Sequence, residues 1–216
     1  MELQMKALQI GLACALVLSL AALGYLFNLN TKLSQEVERV SNQPSASLTT
    51  LQQEVDQYRE QVDSLESVRV DLEQQLQQAI EQGKASVSSD SNEININLMG
   101  SILFTPADGH LTKDGASLLR SLGQSLNDAA DSMIHVIGHT DNWPIGSNLR
   151  DKYPSNWELA ATRAISVSKY LKEEVNIDPS RIYAISAAQY QPVADNESVE
   201  GRAQNRRIEI KLVGAR

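Results

Sequence analysis

Residues 133–141 read MIHVIGHTD, an apolar run that ends in a polar turn. Its first six residues are rich in β-branched and apolar side chains, which predicts a largely buried strand. Working outward from it, three other stretches also have a composition or alternation typical of strands. They are residues 93–98 (EININL), 181–186 (RIYAIS) and 207–213 (RIEIKLV).

Two helices are predicted between these strands. Thr112 has the chemistry of an N-cap, and Leu119, Leu122 and Leu126 follow it on one helical face. Ser155 with Glu158 forms a capping-box pattern for a second helix that runs to about residue 175, with Trp157 predicted in the core. The order strand, helix, strand, helix, strand, strand predicts an α+β fold, a βαβαββ sandwich with helices on one face of a small mixed sheet.

Three motifs in this order resemble a known family. They are VIGHTD at residues 136–141, SNWELAATRA at 155–164 and NRRIEI at 205–210. Together they resemble the OmpA-like peptidoglycan-binding domain. The long connection between Asp141 and Asn156 is most similar to the branch of flagellar stator subunits of the MotB kind. We therefore assign residues 92–216 to such a domain.

This resemblance implies a binding site for the stem peptide of peptidoglycan, and above all for its diaminopimelate residue. Carried over by motif, Asp141 and Arg163 grip the charged end of that residue. Asn156 and Leu159 line the same site, and Arg206 is carried over from the Asn-Arg-Arg motif. The resemblance implies no catalytic residue, no metal and no cofactor.

The residues themselves are compatible with such a site. Asp141 follows a predicted strand, in a loop where its side chain is free to meet a ligand. Asn156 and Arg163 are seven residues apart, two helical turns, and so share a helix face with Leu159. An acid and a guanidinium suit a zwitterionic amino-acid terminus. The alternative is that Asp141 and Arg163 only pair with each other at the surface.

Residues 1–29 are predicted to be an N-terminal transmembrane anchor. Residues 7–29 carry no charged side chain and would form a helix of roughly 34 Å, enough for a hydrocarbon core of about 30 Å. We expect a single-pass protein of the bacterial inner membrane with its C-terminal domain in the periplasm. The alternatives are a signal peptide cleaved after Ala21 and a lipid attached to Cys14.

Residues 30–82 are predicted to form a periplasmic coiled coil with a break near Pro44. From residue 48 the seam positions alternate in steps of three and four, which favours a homodimer, although a solvated monomeric helix is the alternative. Residues 83–91 are rich in Gly and Ser and predict a flexible linker. The seam positions are Leu48, Leu51, Val55, Tyr58, Val62, Leu65, Arg69, Leu72, Leu76 and Ala79.

Composition excludes several functions. A net charge of −8 argues against binding to nucleic acid. The chain lacks the sequence motifs of serine hydrolases and zinc proteases, so we expect no enzyme. His135 and His139 lie on one strand face but lack a third metal ligand at a suitable spacing.

The expected function is therefore a non-enzymatic tether between membrane and peptidoglycan. The alternative is a MotB-like motor stator or stator-associated subunit working with an unknown membrane partner. Residues 7–29 lack the ionisable side chain that ion conduction needs, which favours the tether.

Overall fold

The computed structural model describes residues 2–90, 93–106 and 108–214, although not the side chains of 2–19, 21, 40–47 and 61. Five strands form one sheet: β1 (Ala85–Asp90), β2 (Glu93–Met99), β3 (Ser132–His139), β4 (Ile182–Ala188) and β5 (Arg207–Gly214). The helices are α1 (Glu2–Glu81), α2 (Gly100–Leu103), α3 (Lys113–Ser121), α4 (Gly123–Asp128), α5 (Asn156–Glu174) and α6 (Val199–Asn205).

The sheet is mixed, with the strand order β1-β2-β5-β3-β4. The β1–β2, β2–β5 and β5–β3 pairs are antiparallel, whereas β3 and β4 are parallel. In the two central pairings Ile210 lies opposite both Ile96 and Val136. The α+β class and the mixed sheet with helices on one face, predicted from the sequence, are confirmed.

One face of the sheet carries the hydrophobic core. Alternate residues of the strands, such as Ile96, Val136 and Ile210, are fully buried against the helices. On the opposite face Tyr183 and Ile185 of β4 stay 49% and 38% exposed. The predicted caps form, because the Thr112 hydroxyl accepts from Gly115 N and Ser155 with Glu158 makes a reciprocal capping box. Both α3 and α5 therefore begin where the sequence predicted.

The predicted flexible linker at 83–91 is wrong for most of its length. Residues Ala85–Asp90 form β1, which pairs along its whole length with β2. Ala85 and Val87 pack against the core, and Ser86, Ser88 and Ser89 are exposed. The serines resembled a linker in composition, but the free edge of β2 supplies hydrogen-bond partners that make the strand favourable.

The globular unit also begins earlier than residue 92. The chain divides into compact units of residues 1–58 and 59–216, so the last turns of α1 belong to the second unit. There Val68, Leu72 and Leu76 are 0–5% exposed and form part of the main core. The C-terminal part of the predicted coiled-coil seam therefore packs on its own domain and not on a partner helix. Burial in this core covers the apolar stripe of α1 within the chain itself.

Two further predictions concern α1. The helix is continuous from Glu2 to Glu81, whereas the sequence predicted a break near Pro44, and the side chains around that proline are not described. A proline's fixed φ angle lies in the helical range, so the ring costs a hydrogen bond without ending the helix. Most side chains of the predicted anchor at 7–29 lie outside the described residues. Among the residues that are described, no helix has the length and apolarity needed to cross a membrane.

Truncating the buried part of α1 tests whether it belongs to the domain. We expect Leu72→Ala to lower the free energy of unfolding by about 2–5 kcal/mol, because it removes a fully buried side chain from the core. Val70→Ala is the matched control, since Val70 is 48% exposed on the same helix and should cost far less. Urea unfolding can be followed by the fluorescence of the two tryptophans, both in the C-terminal domain. Equal effects of the two changes would contradict the packing of α1 on this domain.

Candidate functional site

Asp141 lies two residues beyond the end of β3, in the loop that leads toward α5. Its Oδ2 accepts a hydrogen bond from Arg206 Nη1 at 2.5 Å, and its Oδ1 accepts from the backbone N–H of Trp143 at 3.2 Å. The Asp141 side chain is 13% exposed and that of Arg206 is 42% exposed. The carboxylate is thus held in a fixed position while its guanidinium partner remains accessible to solvent.

The close approach of β3 and α5 sets the position of this loop. Gly138 in β3 has no side chain, and a Cβ at that position would lie 2.2 Å from the backbone oxygen of Ala160. Only glycine allows β3 to pass so close to the α5 backbone. The residues that follow Gly138 are therefore brought against the first turns of α5.

Arg163 lies on α5 and is only 6% exposed. Its Nε donates to the backbone oxygen of Asp108 at 3.0 Å, and its guanidinium lies 5.3 Å from the ring centroid of Phe104. Within the part of the chain that the structure describes, its two terminal nitrogens have no hydrogen-bond partner. Burial lowers the pKa of the guanidinium, and the nearby charges of Asp141 and Asp108 partly offset this effect. Arg163 therefore supplies a desolvated positive charge with free donors.

Asn156 and Leu159 lie on the same face of α5. The Asn156 Nδ2 donates to the backbone oxygens of Asp141 at 3.3 Å and Trp143 at 3.0 Å. Leu159 packs in a small apolar cluster with Ile145 and the buried Tyr153. Asn156 thus fixes the loop that carries Asp141, and Leu159 fixes the connection that follows it.

The structure brings the five predicted site residues into one region, but the ion pair within it is not the one that the sequence suggested. Asp141 forms its ion pair with Arg206, and it acts on Arg163 through its charge. The surface pair between Asp141 and Arg163, considered as an alternative, is not formed. One carboxylate between two guanidiniums leaves the cluster with a net positive charge, which attracts a carboxylate while Asp141 can still accept an ammonium.

Asp108 is a residue of the candidate site that sequence analysis missed. Its carboxylate accepts from Lys152 Nζ at 2.7 Å and from the Tyr153 hydroxyl at 2.9 Å, and His110 Nδ1 lies 2.8 Å away. These contacts, led by that of Lys152, hold the pKa of Asp108 well below its usual range. An Asp-Gly dipeptide is typical of a turn, and no local pattern indicates that the backbone oxygen of Asp108 accepts from Arg163.

His139 forms a contact with another side chain of the domain. Its Nε2 lies 3.1 Å from Glu209 Oε2, and this contact lowers the pKa of Glu209 to about 2. His135 makes an edge-to-face contact with Tyr183. Among the described residues no group of three or more His, Cys, Asp or Glu side chains could hold a metal ion.

Comparison with known proteins identifies the domain that contains this region. Residues 103–206 match the OmpA family. This span includes α5, Asp141 and Arg206, and so the region that the sequence motifs indicated. The chain contains an OmpA family domain. Proteins of this family are structural and are not known as enzymes, as expected from the sequence.

Relatives of known sequence are similar over part of the chain. The chain is 28% identical to Motility protein B of Bacillus subtilis over 151 residues, which are 70% of this chain and 57% of that protein. It is 39% identical to Outer membrane protein A of Bordetella avium over 106 residues, 49% of this chain and 50% of that protein. The chain spans about half the length of the curated relatives it matches.

Two solved structures are covered almost completely. The cell wall anchor of the T6SS from Pseudomonas aeruginosa is 32% identical with a TM-score of 0.60, over 68% of this chain and 99% of that one. A MotB-like protein from Desulfovibrio vulgaris is 25% identical with a TM-score of 0.65, over 73% of this chain and 98% of that one. The resemblance to OmpA-like domains of the MotB branch is confirmed.

The lowered pKa of Asp108 predicts a pH dependence of stability. A carboxyl group whose pKa is lower in the folded than in the unfolded state stabilises the fold above its ordinary pKa of 3.8, and this contribution is lost as the pH falls below that value. We expect Asp108→Asn to reduce the loss of unfolding free energy between pH 5 and pH 2 relative to the unmodified chain. Urea titrations at each pH measure this.

The control for this experiment is Asp151→Asn, which removes an exposed carboxylate from the same connection. It should leave the pH dependence close to that of the unmodified chain. If Asp108→Asn leaves the slope unaltered, the network around Asp108 does not form as described.

Proposed function

We propose that this chain is an envelope protein of the bacterial inner membrane that binds peptidoglycan non-covalently. Its C-terminal domain, which extends into the periplasm, recognises the diaminopimelate residue of the stem peptide. The protein thereby tethers the membrane to the cell wall. The observation that carries the proposal is the grouping of Asp141, Arg163 and Arg206 where β3 meets α5.

The chemistry of this group matches the free end of diaminopimelate, which carries one ammonium and one carboxylate. Asp141 accepts from the ammonium, and the unpartnered terminal nitrogens of Arg163 donate to the carboxylate. Arg206 is exposed enough to turn from Asp141 toward the ligand. Asn156 keeps the loop in place, so the groups are positioned before the ligand arrives.

Similar proteins support the same assignment. The T6SS protein, described as a cell wall anchor, is 32% identical and is matched over 99% of its chain. Motility protein B is similar over 70% of this chain and Outer membrane protein A over 49%. Non-covalent binding to peptidoglycan is consistent both with the chemistry of this site and with the similarity to these proteins.

Membrane anchoring is assigned to residues 7–29. This stretch contains no charged side chain, and Lys6 precedes it. Its described apolar side chains are 51–71% exposed, as expected of a helix whose natural surroundings are lipid. They are Leu20, Leu23, Tyr25, Leu26, Phe27 and Leu29.

A MotB-like stator subunit is the second candidate, because Motility protein B of Bacillus subtilis is a relative over 70% of this chain. Ion conduction needs an ionisable group within the membrane, and residues 7–29 contain none. This difference favours the tether. Proton flux upon co-expression with a channel-forming partner would favour the stator instead.

Homodimerisation is assigned to the exposed part of the heptad seam. Leu48, Leu51, Val55 and Tyr58 are 43–68% exposed along one stripe of α1. A stripe this narrow is buried most simply by a second copy of the same helix. Two domains on one dimer would bind the wall with raised effective concentration.

Binding to isolated peptidoglycan tests the site. We expect Asp141→Asn and Arg206→Gln each to weaken binding by about 30-fold or more, because losing one member of a charge pair that becomes desolvated on binding costs about 2–5 kcal/mol. Co-sedimentation with purified sacculi measures this. Arg120→Gln is the matched control, since Arg120 forms an exposed ion pair with Glu174 outside the site. Unchanged binding by both site variants would show that the site is assigned wrongly.

Light scattering on the full-length chain in detergent tests the dimer. We expect a dimer for the unmodified chain and a monomer for Leu51→Glu with Val55→Glu, because two like charges per helix at the seam repel each other. Gln53→Glu adds a charge off the seam and should remain dimeric. A monomeric unmodified chain would contradict the proposed pairing.

A further inference from the structure

A cavity of about 300 Å³ lies on the face of the sheet opposite the hydrophobic core, at the end where β2 finishes and β5 begins. Its floor includes Met99 of β2 and Arg207 of β5, which lie directly opposite each other in the strand pairing. Their neighbours Leu98 and Ile208 are core residues, so Met99 and Arg207 point to the other face. None of the residues assigned to peptidoglycan binding lines this cavity.

The wall of the cavity is held in place by contacts within the protein. This wall includes Val193, from the segment between β4 and α6, and Gln204 of α6. The fully buried Asn205 accepts from the backbone N–H of Val193 at 2.8 Å, and Arg207 Nη2 donates to the backbone oxygen of Gln191 at 3.3 Å. The cavity is therefore formed before a ligand arrives, which lowers the entropic cost of binding.

Arg207 brings a buried and incompletely neutralised positive charge to the cavity. It is 6% exposed, and its Nε and Nη1 have no hydrogen-bond partner among the described residues. Glu209 Oε2 lies 3.9 Å from Arg207 Nη2, and the Glu209 carboxylate is shared with His139 and Asn95. Burial lowers the pKa of Arg207, and the charge of Glu209 partly offsets this effect. A counter-charge from a ligand would therefore be favourable at this position.

Lys84 adds a second positive charge, which is accessible to solvent. It lies in the turn between α1 and β1, where its backbone oxygen accepts from the Met99 N–H at 2.9 Å. Its Nζ donates to the neutral amide of Gln82 at 3.0 Å, and within the described parts of the chain it pairs with no carboxylate. The lining of the cavity likewise contains no carboxylate. The two cations therefore give the cavity a net positive charge.

Direct contacts to a ligand would come from the exposed groups at the rim. The unpartnered nitrogens of Arg207 are enclosed, so this residue acts on the cavity through its charge, which is effective because the surroundings are poorly solvated. Lys84, Ser86 and Gln204 line the cavity and are exposed. An ammonium, a hydroxyl and an amide can donate to several oxygens of one anion.

We propose that this cavity binds a phosphate group, carried by a soluble phosphate ester or by a lipid headgroup. A phosphate presents several acceptor oxygens around one negative centre, which suits a lysine beside neutral donors and a buried cation. The cavity is larger than a bare anion needs, and the apolar side chains of Met99 and Val193 leave room for the organic part of an ester. The inference goes beyond the proposed function, because this cavity and the Asp141 site have no lining residue in common.

Calorimetric titration of the full-length chain, in a maltoside detergent and a buffer without phosphate, tests this inference. One probe is sn-glycerol 3-phosphate, and the other is dioctanoyl phosphatidic acid in the same micelles, which carries the same group on a lipid. We expect Lys84→Gln to weaken binding by about tenfold or more, because a charge-assisted hydrogen bond is lost. Lys84→Arg keeps the charge and should retain most of the affinity.

The matched control is Lys172→Gln, which removes an exposed lysine of α5 outside the cavity and should leave the affinity unaltered. Arg207→Met removes the buried charge and should also weaken phosphate binding. Circular dichroism establishes that each variant is folded, and the variants at the exposed Lys84 decide the result if Arg207→Met is not. Co-sedimentation of Lys84→Gln with purified sacculi should equal that of the unmodified chain.

The inference is overturned if the unmodified chain binds neither probe at about 10 mM, a limit that corresponds to negligible affinity. It is equally overturned if Lys84→Gln binds both probes as the unmodified chain does. Weaker binding of Lys84→Gln to sacculi would also overturn it, since the cavity would then belong to the peptidoglycan site. Tighter binding of phosphatidic acid than of glycerol phosphate supports a lipid headgroup as the ligand, and equal affinities support a soluble ester.

Discussion

The buried guanidinium of Arg163 connects the parts of the domain that form the candidate site. A cation that is only 6% exposed must be compensated by its surroundings. Its partners come from separate segments, namely the backbone oxygen of Asp108, the ring of Phe104 and the charge of Asp141. Asp108 is in turn fixed by Lys152 from the connection that precedes α5. One desolvated charge thus couples two loops, the segment between α2 and α3 and the connection between β3 and α5.

The connection between Asp141 and Asn156 contributes to the site at both of its ends. At one end Asp141 faces Arg206, and at the other Asn156 holds the loop backbone and begins α5. Beyond Asn156 the surface changes from charged to aromatic, with Trp157 and Tyr190 paired. Trp157, which the sequence placed in the core, is 46% exposed.

The apolar stripe of helix α1 has two parts with different surroundings. Near its C-terminal end Leu72 and Leu76 are buried in the core of the domain, so these turns are part of the fold. Farther toward the N-terminus, within residues 1–58, Leu51 and Val55 remain 56% and 43% exposed. Pairing of two copies there would join two wall-binding domains without new contacts at either site. The gain would come from effective concentration, which suits a tether that has to hold many weak contacts.

The sequence by itself determined the features that arise from local chemistry. The caps at Thr112 and Ser155 are hydrogen bonds between residues close in sequence. Strand periodicity and the motifs of an OmpA-like domain are likewise patterns within short segments, so none of these features required knowledge of distant residues. The tertiary structure alone decided which charges meet. Asp141 and Arg206 are 65 residues apart in sequence, and their ion pair depends on how β3, α5 and α6 pack. Strand β1 formed for the same reason, since its serine-rich residues became a strand only because the edge of β2 was available. Contacts between distant segments depend on the competition among all possible partners, and that competition is settled only when the chain has folded.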